Sequence, residues 1–220
     1  TGGAGYIGSN VVWALKDAGY QVIIIDNLAS GSKKIIPEDV ILIQGDINNT
    51  TSVEHIFKTY PIETIMHFAL SNNTQESYKC PLKYYQNNAL ITYNLIDLAI
   101  KHNIPNFILS SSASVYGLPE KLPITEDTIT NPISPHGSSK LMAELMLRDS
   151  AVVHKLHYVI LRYFNVAGAD PKMRAGHINQ QDKHLIDTAC QAALGKRDVM
   201  EIYGNDYPTK DGSCVRDFVH

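Results

Sequence analysis

Apolar residues along this 220-residue chain follow two rhythms that take turns. Short runs have the length and density of strands buried on both faces: Gln21-Val22-Ile23-Ile24-Ile25-Asp26, Val40-Ile41-Leu42-Ile43, Thr64-Ile65-Met66-His67-Phe68, Asn106-Phe107-Ile108-Leu109-Ser110 and Tyr158-Val159-Ile160-Leu161-Arg162. Between them, apolar positions recur every three or four residues, as in a helix. Ile7 to Leu15 form one such segment, closed by Gly19. Leu82, Tyr85, Ala89, Thr92, Ile96 and Ala99 mark a second, opened by Pro81 and ended by Asn103 to Pro105. A third runs from about Ser138 to Leu156, with Leu141, Leu145 and Met146 expected inward and Lys140, Glu144 and Arg148 spread around it. Strands alternating with helices predict βαβ units, hence an α/β fold with a Rossmann-like doubly wound parallel sheet. The sequence turns to Gly, Asp, Pro, His and Gln from Ala167 to Lys183, which reads as a loop leaving the first domain. The predicted organisation is a dinucleotide-binding domain over residues 1–165 and the start of a substrate-binding lobe over 166–220.

The first residues carry the clearest chemistry. Thr1-Gly2-Gly3-Ala4-Gly5-Tyr6-Ile7-Gly8 is a glycine-rich phosphate loop, and the strand that should feed it is expected just upstream of Thr1, central in the sheet. Gly2 would allow the tight turn, Gly5 the approach of a pyrophosphate, and Gly8 close packing of the helix. The helix N-terminus would offer free N–H groups to the phosphates. Asp26 ends the next strand eighteen residues after Gly8, where a carboxylate accepts from the adenosine 2′-OH of NAD and repels the 2′-phosphate of NADP. With Asn27 behind it, Asp26 also reads as a plain turn residue.

Other candidates sit at strand ends, where open α/β sheets bind ligands. Asp46-Ile47 would flank the adenine, and Phe68-Ala69 follows the next strand. Ser110-Ser111-Ser112-Ala113-Ser114-Val115-Tyr116-Gly117 follows the one after, although a serine run is also common loop sequence. His136 and Lys140 are four apart and share a face at a helix start. Composition narrows the partners. A net charge of −3 with acids and bases interspersed argues against nucleic acid and membrane surfaces, and no apolar run is long enough to span a membrane. Cys80, Cys190 and Cys214 form no CxxC pair and read as reduced thiols of a cytoplasmic protein, with neither metal nor disulfide implied.

These strings resemble the extended short-chain dehydrogenase/reductase family, in particular its sugar-nucleotide epimerases. The similarity runs through Gly2-x-x-Gly5-x-x-Gly8, His67-Phe68-Ala69, Tyr84-Tyr85-x-Asn87-Asn88, the serine run and Arg162-Tyr163-Phe164-Asn165. It ends in Tyr203-Gly204-Asn205-Asp206-Tyr207-Pro208-Thr209 and Val215-Arg216-Asp217, the most specific stretch. The resemblance implies NAD as cofactor, a UDP-hexose as substrate, epimerisation at C4 and a homodimer formed through the two long helices. It implies that Ser112 bonds the sugar 4-OH and that Lys140 and Asn87 hold the cofactor. Tyr163 and Phe164 would line the nicotinamide pocket, and Tyr6, Ile7 and Asn27 would complete the cofactor set. Asn165 and Arg216 would contact the diphosphate, His184 and Leu185 the uridine. A planar Arg fork suits a diphosphate, although Arg216 could equally pair with Asp217.

Two positions depart from the family pattern. Phe218 stands where a Tyr is usual, which removes one substrate hydroxyl contact. His136 stands where the family places its catalytic Tyr, leaving a working His base, an inactivated binding protein or a lineage losing function. Dehydration or decarboxylation is disfavoured because Ala113 and Ser114 occupy positions where those relatives carry acids.

Overall fold

The computed structural model describes residues 1–178 and 184–220. The chain starts in the glycine loop and enters α1 (Tyr6–Asp17). There follow β1 (Ile23–Asp26), β2 (Ile41–Gln44), α2 (Thr50–Thr59), β3 (Thr64–His67), α3 (Thr74–Lys79) and α4 (Pro81–Tyr84). A π-helical segment, Tyr85–Leu90, joins α4 to α5 (Ile91–Lys101). Then come β4 (Asn106–Ser110), α6 (Pro135–His154), β5 (His157–Leu161), β6 (Asn165–Val166), α7 (Leu185–Ala193) and β7 (Phe218–Val219).

Every strand pairing is parallel: β1 with β2, β3–β4–β5 in that order, and β6 with β7. Thr1 and Gly2 lie between the first two groups. The Gly2 amide donates to Ile25, the Phe68 amide donates to Thr1, and the Thr1 nitrogen donates to Met66. This is the central position expected for the strand that feeds the glycine loop. Neighbouring side chains of β1 leave on opposite faces, as the two-residue strand period requires. Ile24 packs with Ala4, Val12, Ile36 and Val40, whereas Ile25 joins the larger core with Val53, Leu95, Phe107 and Leu147. A sheet covered on both faces is what the unbroken apolar runs predict.

The helix signals hold at their ends. Gly19 has φ +84°, and the Gly19 and Tyr20 amides return to Lys16 and Leu15, closing α1. Two expected helix faces need correction. Leu82 is 80% exposed, because the wider π turn below it takes up about one extra residue and rotates the first turn by roughly 100°. On α6, Leu145 is exposed and Leu141 and Met146 are half-buried, while Ala143 and Leu147 fill the core. Lys140 and Glu144 are not spread around the helix; both are inside, at 3% and 0% exposure, one turn apart on the same face. Hydropathy sends charges outward, but a charge with partners can be buried: Glu144 pairs with Arg148 and Arg162, and Lys140 donates to the Ser110 carbonyl.

Beyond β6 the chain from 167 to 178 has no helix or strand, as expected of a connecting loop. It is nevertheless pinned to α1. Arg174 binds Asp17 and Asp170 and stacks 4.2 Å over Trp13, and Lys172 also reaches Asp17. The last part of the expected loop, 179–183, lies outside the described residues. The three cysteines are free and exposed, and among the described residues no group of His, Cys, Asp or Glu could hold a metal. No described helix is long and apolar enough to cross a membrane.

Candidate functional site

The glycine loop is packed to its limit. Gly2 has φ +70°, and a Cβ there would lie 2.5 Å from the Ala69 nitrogen. A Cβ on Gly8 would lie 2.1 Å from the Gly2 carbonyl oxygen, so α1 packs directly on its own loop. Gly5 serves as N-cap without a side-chain bond, which leaves the first amides of α1 and their partial positive charge to an anion. Asp26 is buried and grips this loop. One carboxylate oxygen accepts from the Ala4 amide at 3.0 Å and the other from the Leu28 amide at 2.8 Å. The turn reading of Asp26 is seen in its bond from Leu28, and the same carboxylate lies against the glycine loop through Ala4. Asn27 and Asp46 shape the adjoining turns, accepting from the amides of Ala29 and Asn48. Ile47 is buried in the core.

At the other end of the sheet, β4 runs into the serine loop and α6 crosses above it. The Ser112 hydroxyl caps a short 3₁₀ turn, accepting from the Ser114 amide at 3.2 Å and lying 3.0 Å from the Ser114 hydroxyl. Ser134 caps α6 by accepting from the Gly137 amide, and Pro135 follows at the first position. A Cβ on Gly137 would lie 2.5 Å from the Ser114 carbonyl, so the start of α6 rests on the serine loop.

His136 and Lys140 project from this helix start into the protein. Lys140 donates to the Ser110 carbonyl at 2.9 Å. Burial pushes its ammonium down to about 7, with the Glu144 carboxylate pulling the other way. His136 is 4% exposed, and burial, then the Lys140 charge, lowers it to about 4 against a bond to the Ser71 backbone. Its ring meets Tyr84 edge-on at 6.1 Å, and its Nδ1 has no partner. The Tyr163 hydroxyl bonds Ser110, and burial raises the phenol. Asn87 donates to the Ser71 hydroxyl from within the π segment.

The remaining expected residues fall elsewhere. Tyr6 donates to the Gly168 carbonyl, and its ring sits 6.5 Å from His184, which caps α7 beside Leu185. Ile7 is half-buried, as are Phe68 and Ala69, and Phe164 is exposed. The Asn165 side chain donates to the Asp217 carbonyl across the β6–β7 pairing, with Phe218 exposed in β7. Arg216 is exposed and turns to the Cys214 sulfur at 3.4 Å rather than to Asp217.

Several contributors escape sequence reading. Asn88 is fully buried, accepts from the Ser71 amide, and donates to the Ser71 carbonyl and the Ser139 hydroxyl. Ser139 in turn donates to the His136 carbonyl, so position 136 is tied to both α6 and the π segment. His67, also fully buried, has no partner at Nε2 and is held well below its usual value by burial and by Lys140. The i, i+4 spacing of His136 and Lys140 put those two on one face, but no sequence signal placed Glu144 inside with them.

Comparison with known proteins agrees with the geometry. Residues 1–220 match the NAD dependent epimerase/dehydratase family, and the chain belongs to that family. It is 48% identical to the UDP-glucose 4-epimerase of Azospirillum brasilense and 43% identical to that of Halalkalibacterium halodurans, over its whole length in each case. It spans 63% and 66% of those proteins. The fold superposes with a TM-score of 0.94 on a UDP-glucose 4-epimerase from Brucella ovis in complex with NAD, at 42% identity, covering 100% of this chain and 67% of that one. For a UDP-glucose 4-epimerase from Bifidobacterium longum in complex with NAD+ and UDP the values are 0.93, 37%, 100% and 68%.

Proposed function

We propose that this protein binds NAD and epimerises a UDP-hexose at C4, interconverting UDP-glucose and UDP-galactose through a transient 4-keto sugar. The observation that carries the reading is the packing of the start of α6, which bears His136 and Lys140, on the serine loop that follows β4: Lys140 donates to the Ser110 carbonyl, and Gly137 lies against Ser114, which bonds Ser112. NAD, when bound, supplies a reversible acceptor for the C4 hydrogen and its electron pair. The chain's residues do the rest. Gly2, Gly5, Gly8, Tyr6 and Ile7 cradle the pyrophosphate, Asp26 and Asn27 take the adenosine ribose, and Asp46 and Ile47 flank the adenine. Lys140 and Asn87 orient the nicotinamide ribose, beside Phe68, Ala69, Tyr163 and Phe164. Ser112 holds the 4-OH, whose proton passes to the side chain at position 136. Asn165 and Arg216 take the diphosphate, with His184, Leu185 and Phe218 towards the nucleotide. Ser114, bonded to Ser112, leaves no acid there for eliminating a 6-OH, which sets dehydration aside.

A second reading, a protein that binds NAD and UDP-sugar with impaired turnover, is favoured by His136 alone. Conversion of UDP-galactose to UDP-glucose by the full-length protein, measured beside NAD and UDP binding, separates the two. Slow turnover supports the enzyme; binding with none supports the sensor. Cofactor choice gives an independent check. The Asp26 carboxylate would face a 2′-phosphate as a like charge, so NAD should bind at least about a hundredfold more tightly than NADP in calorimetry. Equal affinities would remove Asp26 from the ribose.

Packed against each other, α5 and α6 leave Tyr93, Met142 and Leu145 about half exposed, an apolar patch suited to a second copy of the chain. We assign a homodimer to the full-length protein through this face. Sedimentation should show Leu145→Glu to be monomeric, whereas an unchanged dimer would place the contact elsewhere. The free, exposed thiols suit a cytoplasmic location.

A further inference from the structure

Below Lys140, one turn further along α6, Glu144 is wholly buried and occupied on both oxygens. One oxygen accepts from the Ser111 hydroxyl in a short bond and from Arg162 Nε at 3.0 Å. The other accepts from Arg162 at 2.5 Å and from Arg148 at 2.9 Å. Arg162 is itself locked, lying over the Tyr116 ring at 5.0 Å and donating to the Tyr116 hydroxyl at 2.9 Å. Ser111 and Tyr116 bracket the 3₁₀ turn that Ser112 caps. The serine loop therefore touches α6 at three points, Gly137 under Ser114, Lys140 at the Ser110 carbonyl and Glu144 under Ser111, with position 136 just before the first.

We propose that Glu144 is a positioning residue: through Ser111 and Arg162 it fixes the Ser112 loop against the helix that carries His136 and Lys140. This rests on the epimerase reading of the site. A buried carboxylate is costly to keep, and a simple packing role is served better by an apolar residue. Here the carboxylate spans the two elements whose relative placement sets the distance from Ser112 to the proton acceptor. Misplacement of a reacting group by about 1 Å costs around 10²-fold in rate. Glu144 also supports the Lys140 cation. The histidines that feel the Lys140 charge are His136 on α6 and His67 on β3, and Tyr163, after β5, bonds the hydroxyl of Ser110, whose carbonyl Lys140 binds. The two histidines are held neutral by burial and the phenol is raised, so Glu144 is the charge that matters there.

The experiment uses the full-length protein with Glu144→Gln, Ser111→Ala and, as a reference, Arg148→Ala, each in the native and His136→Tyr backgrounds. Two readouts are taken: kcat and KM for UDP-galactose, and the affinities for NAD⁺ and NADH against pH. A Lys140 cation repels the positive nicotinamide of NAD⁺ but not the neutral ring of NADH. NAD⁺ affinity relative to NADH should therefore rise as pH climbs through about 7, where Lys140 loses its proton. Glu144→Gln should move that midpoint to lower pH and reduce kcat tenfold or more at nearly constant KM. Ser111→Ala should reduce kcat by about tenfold without moving the midpoint, because it loosens the loop and leaves the charge. Arg148→Ala should do little. If Glu144→Gln does not fold, Ser111→Ala carries the test. Unchanged kcat in Ser111→Ala with lowered thermal stability overturns the proposal and leaves Glu144 a structural ion pair. Should no background turn over, the epimerase reading fails by itself, and an unmoved NAD⁺ midpoint in Glu144→Gln still overturns the proposal.

Discussion

Replacing His136 by Tyr is expected to raise the rate of C4 epimerisation by the full-length protein by about 10²–10⁴-fold, the usual contribution of a well-placed general base. His136 has a side chain shorter than a phenol and is deep in the protein, and burial lowers its imidazole to about 4. From pH 5 upwards it is neutral and able to accept a proton, but weakly, since basicity falls with the pKa. The ring of Tyr can keep the edge contact that His136 makes with Tyr84, while its hydroxyl ends further from the backbone than an imidazole nitrogen does. The measurement is UDP-galactose turnover with UDP affinity as control, and affinity should barely change because the diphosphate contacts lie elsewhere. The native pH profile should also lack an acid limb near 6.5, falling instead towards pH 4. Equal rates for the His and Tyr forms would mean that His136 is a competent base or that Ser112 acts without one.

The second large effect is expected at Gly8. Adding a single methyl there drives α1 away from the Gly2 carbonyl, since that oxygen belongs to backbone and a Cβ has its direction fixed by the backbone, so neither can rotate aside. Overpacking of this kind costs about 1–3 kcal/mol. The displaced helix N-terminus no longer aims its amides at a pyrophosphate, so Gly8→Ala should weaken NAD binding by about 10²-fold or more. Calorimetry together with thermal unfolding, each with and without NAD, checks both parts. Unaltered NAD affinity would detach the glycine loop from the cofactor.

What could be read from the sequence divides along a physical line. The glycine loop, Asp26 and the strand ends were legible because each depends on residues near one another in the chain: a turn, a cap, a run of β-branched residues. The strands lie within a residue or two of the expected ones. The interior of α6 was not legible. Hydropathy places Leu145 inside and Glu144 outside, and the fold does the reverse because Arg148 and Arg162, the second from a different element, neutralise Glu144 where no periodicity can register them. Arg216 failed for a similar reason: adjacency to Asp217 suggested a pair, yet its guanidinium turns to Cys214, two residues back. Asn88 became meaningful only when Ser71 and Ser139, both distant in sequence, came within reach of its side chain.

The π segment between α4 and α5 has one more consequence. It lets a single rod keep two alignments, with 91–101 keyed to the sheet and 81–84 keyed to Glu76 and the ring of His136. Trimming one residue from 85–90 would leave the first alignment intact and swing Tyr84 off the second. The joint is thus a spacer that lets the core-facing half of the rod and the half beside position 136 each keep its own facing.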